Sequence, residues 1–124
     1  MKIDRILLAF AALNGAMAVA LGAFAAHGAG PAVKTLLTTG SHYQIVHALL
    51  AVVCALWPAR TKLVTIGGWL SVSGGLIFAL ALSSIGLLGL RVMGAVAPIG
   101  GLLMIAAWLL LFVAAFQSHS DVAE

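Results

Sequence analysis

Two histidines, a tyrosine, a glutamine and the chain's only cysteine fall within SHYQIVHALLAVVC, Ser41 to Cys54. Charged residues make up only 7% of the chain, so this concentration of chemically capable side chains raises the question of a site. On a helix, Tyr43, His47 and Cys54 share one face within about 40°, at 100° per residue. Gln44 and His47 are neighbours at i and i+3. Upstream, His27 and Asn14 are further candidates for the same polar membrane cluster.

Three chemistries compete for these residues. Neutral imidazoles of His47 with His27 or His42 suit zinc or copper. Cys54, however, lies about 10 Å along the helix from His47, too far to share an ion without a break. No H-x-x-x-H, C-x-x-C or carboxylate accompanies the histidines, so neither a metal nor another cofactor is expected. A proton or solute path is the second reading, because imidazole changes charge near neutral pH and Asn14 offers a polar partner. Intramembrane relays usually use an acid, and the apolar segments contain none. The third reading is structural and accounts for most of the residues. Ser41-x-x-Gln44 has the spacing of a capping box. Tyr43 fits an interfacial aromatic. His27 suits a helix C-terminus, where a donor bonds the last carbonyls. His47 then bonds across helices, holding the turn around His27 or a kink at Pro98. Ser71, Ser73 and Ser83 lack an accompanying base, so no catalytic residue is assigned. Trp69 and Trp108 read as packing residues.

The elements that position these groups follow from composition. The chain has 124 residues, of which 64% are hydrophobic, against about 45–50% in soluble domains. Uncharged intervals run from Arg5 to Lys34 (28 residues), Lys34 to Arg60 (25), Lys62 to Arg91 (28) and Arg91 to Asp121 (29). Each exceeds the roughly 20 residues that cross about 30 Å of hydrocarbon. The expected fold is an all-α integral membrane four-helix bundle, a single domain over 1–116. Its spans are placed near 5–26, 42–57, 63–83 and 92–116, followed by a polar tail over 117–124. A transmembrane barrel is excluded, since no alternating ten-residue segments occur. Six scattered basic residues form no stripe, which argues against nucleic acid as a partner. Lys2, Arg5, Arg60 and Lys62 stand against Lys34 and Arg91, so the positive-inside rule predicts both termini in the cytoplasm.

Met1 to Ala26 superficially resembles a signal peptide ending near Ala23-Phe24-Ala25. Its apolar run is longer than the 7–15 residues of a signal core, so a retained first helix is expected. His27-Gly28 ends that helix, with glycine suited to a left-handed cap. Pro31 opens a short amphipathic outer-face helix before the second span, separated from it at Gly40 or continuous with it. Starting the second span at Ser41 puts His47 about one and a half turns inside the outer leaflet. In the third span Gly67, Ser71, Gly75, Ala79 and Ser83 recur every four residues, a ridge for close helix packing. Ser83 to Gly86 are assigned to the turn that follows. Pro98, Gly100 and Gly101 predict a helix break in the outer half of the fourth span.

Three motifs carry a resemblance. Leu21-Gly22-Ala23-Phe24-Ala25-Ala26-His27-Gly28 resembles the LGAFGAHG signature of the YgdD-like family. Tyr43-Gln44 with His47-Ala48-Leu49 is similar to its YQ-x-x-HAL element. Gly94 to Leu102, with Pro98-Ile99-Gly100-Gly101-Leu102, resembles its PIGGL motif, with Trp108 following. Ala25 stands where the family more often has glycine, and Ala106-Ala107 precede Trp108 where a glycine is usual; each change adds a methyl group. The resemblance covers about residues 5–116. It implies a small four-helix bacterial inner-membrane protein with mitochondrial relatives and no established activity. The expected function is non-enzymatic association with itself as a homo-oligomer, or with a larger membrane complex, in the lipid bilayer. A small transporter or channel-like module using His47 and the Pro98–Gly101 break is the alternative.

Overall fold

The computed structural model describes residues 2–117, so most of the tail expected over 117–124 lies outside the described residues. Four long helices follow one another: α1 (Arg5–His27), α2 (Pro31–Ala55), α3 (Lys62–Leu88) and α4 (Ala97–Ala114). A single 3-10 turn, Arg91–Ala95, precedes α4. With this turn included in the fourth, all four elements are long and apolar enough to cross a membrane. No strand occurs among the described residues.

Local chemistry explains where the helices begin and end. Asp4 caps α1, its carboxylate accepting the Leu7 N–H at 3.1 Å. At the other end Gly28 donates its N–H to the Phe24 carbonyl at 2.8 Å, with φ of −118°. The expected left-handed cap is therefore not formed there. Glycine meets a different need, because a Cβ at Gly28 would stand 2.7 Å from the Phe24 ring. The left-handed cap occurs after α3, at Gly89, with φ of 68°.

Of the two arrangements open at Gly40 the continuous one is formed, and the break expected at Pro98 is absent. Pro31 starts α2 with Gly30 as its cap, and the helix continues through Gly40 to Ala55. The short outer helix and the second span are thus one helix of 25 residues, about 37 Å long at 1.5 Å per residue. Gly40 is not a hinge but a contact: a Cβ there would lie 3.2 Å from the Ala79 Cα on α3. Likewise α4 is not broken at Pro98. Its first residue is Ala97, and Pro98 occupies the first turn, where its missing N–H removes no helical bond. The irregular backbone precedes it, in the 3-10 turn. Ser83 to Gly86, expected in a turn, continue α3 to Leu88.

Each helix packs on the next, and α3 is central, with α2 on one flank and α4 on the other. The small-residue ridge forms this centre. A Cβ at Gly75 would stand 3.3 Å from the His47 Cβ, and Gly67 faces the Ala107 carbonyl and Leu111 on α4. A second close crossing joins Gly74 and Gly100, where either added Cβ would lie 2.8 Å from the other's carbonyl oxygen. In lipid such backbone proximity replaces the hydrophobic drive that packs helices in water.

The start of α1, the end of α2, the start of α3 and the end of α4 share one end of the molecule. There Asp4 donates its N–H to the Ala55 carbonyl at 3.1 Å. Arg60 donates to the carbonyls of Lys2 (3.2 Å) and Ala55 (3.4 Å). The Thr61 hydroxyl donates to the Gln117 amide oxygen at 2.6 Å. Above this basic end Leu7, Leu50, Cys54, Val64 and Leu111 belong to one apolar core. Cys54 is thus a core thiol near the basic end, away from the polar residues of mid-helix.

Candidate functional site

Continuity of α2 changes the depth of every polar residue on it. His47 lies about 24 Å from Pro31 and about 12 Å from Ala55, so it sits deep in the span rather than a turn and a half inside. Ser41 and Gln44 are also mid-helix. Their own N–H groups are already bonded within α2, which removes the need for a capping box. Their side chains instead reach α1.

Ser41 donates its hydroxyl to the Ala18 carbonyl at 2.7 Å. Gly22 permits this approach, since a Cβ there would lie 2.8 Å from the Ser41 oxygen. One turn further, Gln44 donates its amide nitrogen to the Asn14 amide oxygen at 3.1 Å. Asn14 donates in turn to the Phe10 carbonyl at 3.0 Å, which fixes its orientation. Both residues are buried. The remaining Gln44 oxygen has no hydrogen-bond partner among the described residues.

His47 is held by three contacts. Its Nδ1 meets the Tyr43 carbonyl at 2.7 Å. Its Nε2 meets the Trp108 indole nitrogen at 3.0 Å. Its backbone carbonyl accepts the buried Ser71 hydroxyl at 2.8 Å. Since an indole N–H only donates, Nε2 must be the accepting nitrogen and Nδ1 must carry the proton. A ring so arranged is neutral and has no free lone pair for a metal. A second proton on Nε2 would break the Trp108 bond.

Next to this ring a cleft of about 490 Å³ opens between α2 and α4. Thr39, Tyr43 and His47 line one wall, Phe78 of α3 its floor, and Gly101, Met104, Ile105 and Trp108 the other wall. The Tyr43 ring lies at 17° to His47, 6.4 Å away, and edge-on to Phe78 at 5.2 Å. Trp108 packs edge-on to His47 at 6.0 Å.

The expected polar cluster therefore divides. Asn14 pairs with Gln44, Tyr43 stacks beside His47, and His27 stands apart, about 20 Å further along α1 than Asn14. Among the described residues no group of three potential metal ligands forms. Gly101 lines the cleft with His47, whereas Gly100 faces Gly74 and Pro98 lines no part of the cleft. Trp108 has a role beyond the packing expected of it. An indole donor at mid-depth of the last helix was the available signal, since such a group needs an acceptor in hydrocarbon. Trp69 does pack, edge-on to Phe10 at 5.5 Å.

Four apolar helices joined by neutral polar bonds define a small multi-pass membrane protein. Residues 21–101 match the family described as "Protein of unknown function (DUF423)", and the chain belongs to that family. Its relatives include a UPF0382 membrane protein of Staphylococcus epidermidis, 34% identical over 118 residues, covering 91% of this chain and 97% of the relative. The UPF0382 membrane protein YwdK of Bacillus subtilis is 33% identical over 120 residues, covering 91% and 98%. No solved structure matches the chain.

Proposed function

We propose that this is a non-enzymatic protein of the bacterial inner membrane that acts by helix–helix association, with a second copy of itself or with a larger membrane complex. The observation that carries this reading is an uncovered groove of about 470 Å³ between α1 and α3. It is lined by the small residues Ala20, Ala79 and Ser83 and by the larger Met17, Phe24 and Leu87, with Ala79 fully buried at its base. The inner part of the α3 ridge is occupied within the chain by α2 and α4. Its outer end at Ser83 is left to this groove, a shape suited to a helix that approaches closely over small residues. The non-enzymatic reading is supported by the Ser71 hydroxyl and both His47 nitrogens being engaged in structural bonds.

The basic end favours a cytoplasmic placement of both termini, by the same positive-inside argument. The three motifs support membership of the YgdD-like group with its mitochondrial relatives. Native mass analysis from mild detergent tests association. The wild-type chain is expected as a dimer, larger oligomer or complex, and Ser83→Phe is expected to shift it toward the single chain. A wild-type monomer without partner, together with no crosslinking between Ser83→Cys chains in lipid, would sink the reading.

A further inference from the structure

We propose that the cleft between α2 and α4 binds a neutral amphipathic lipid with a planar, carbonyl-bearing ring, the chemistry of an isoprenoid quinone. This site lies on a different face from the α1–α3 groove and does not depend on association.

The walls select the ligand class. Three aromatic side chains, Tyr43, Phe78 and Trp108, border the space, and two of them are held in place. Trp108 is fixed by its bond to His47, and Tyr43 is flanked by His47 and Phe78. Such preset faces favour a flat ring by offset or edge-on packing. Gly101 leaves the opposite wall open, since an added Cβ there would meet nothing within 4 Å. The volume is within the range of about 300–1,000 Å³ usual for small-ligand sites.

Depth and charge exclude the main competitor. Tyr43 stands at the midpoint of α2, and no charged residue lines the cleft. A phospholipid's charged head belongs at the membrane surface and finds no counter-ion here. A bare acyl chain would fill the space but offer nothing to the hydroxyls of Thr39 and Tyr43. Tyr43 is 45% exposed beside the cleft, with its ring packed on His47 and Phe78, and its hydroxyl is a donor at a depth where water is scarce. A ring carbonyl satisfies that donor, and the attached tail leaves past Ile105, which is 57% exposed toward lipid. His47 touches the ligand only through its ring face, because both its nitrogens are occupied.

Menaquinone-4 is a suitable probe, titrated into the protein in phosphatidylcholine nanodiscs. In a Trp57→Phe/Trp69→Phe background Trp108 is the only indole, and its fluorescence reports the cleft. Quenching is expected to saturate at one quinone per chain. Gly101→Leu, whose Cβ enters open space, fills the cleft from its α4 wall and is expected to weaken binding at least tenfold. Tyr43→Phe is expected to weaken it roughly fivefold to tenfold, the loss of one hydrogen bond. Native mass analysis of the wild-type chain supplies the stoichiometry independently of the tryptophan changes. Quenching that rises without saturation and equally in Gly101→Leu would overturn the proposal. So would equal displacement by squalene, which has the tail chemistry and no carbonyl.

Discussion

The Trp108 indole donates to Nε2 of His47 across 3.0 Å, and this one bond sets the protonation pattern of the imidazole. With Nε2 accepting, Nδ1 holds the proton and donates it to the Tyr43 carbonyl. Nitrogen NMR of labelled protein in lipid is therefore expected to show His47 as the Nδ1–H tautomer. A proton found on Nε2 would remove the α2–α4 bond from the description.

The same bond links two helices that otherwise meet mainly through α3. Trp108→Phe keeps an aromatic ring, smaller than the indole, while deleting the donor, leaving Nε2 unsatisfied at mid-depth. Interhelical bonds in membranes average about 0.6 kcal/mol and reach about 1.7. A loss of about 1 kcal/mol in detergent unfolding is expected. A cycle with His47→Leu is expected to show coupling of the same order, and additivity of the two changes would contradict it.

These two residues also show what was legible beforehand. Four apolar helices follow from the spacing of charges. The bond between His47 and Trp108 was not legible, because it joins residues 61 positions apart and depends on the rotation of two helices. Depth failed for a simpler reason. Ser41-x-x-Gln44 reads as a helix start, and Thr-rich Lys34 to Thr39 reads as an interface, so the sequence pattern puts the start of the second span later than α2 begins. Pro31 marks a helix start, yet nothing local distinguishes a continuous helix from two. Pro98 misled in the same way, since a proline in the first turn and one at a kink look identical without the helix boundary.

Asn14 and Gln44 provide a test of polar stapling between α1 and α2. Asn14→Leu alone leaves the Gln44 amide buried with no partner on either atom, and is expected to cost about 1–3 kcal/mol. Replacing both, as Asn14→Leu with Gln44→Met, removes the unsatisfied oxygen together with the bond. The double variant is expected to recover most of that loss in thermal unfolding. A double variant weaker than the single would show that the pair stabilises by more than mutual satisfaction.

Adjacent glycines Gly100 and Gly101 separate packing from ligand space. A Cβ on Gly100 would stand 2.7 Å from the Phe78 backbone nitrogen and 2.8 Å from the Gly74 carbonyl, so neither obstacle is a side chain that can turn away. Gly100→Ala must push α4 off α3 and is expected to cost about 1–3 kcal/mol. Gly101→Ala enters open space and replaces glycine inside a helix, so it is expected to be neutral or slightly stabilising. Unfolding midpoints of the two variants measured side by side check the contrast. Equal effects would mean that α3 and α4 do not cross at Gly74 and Gly100.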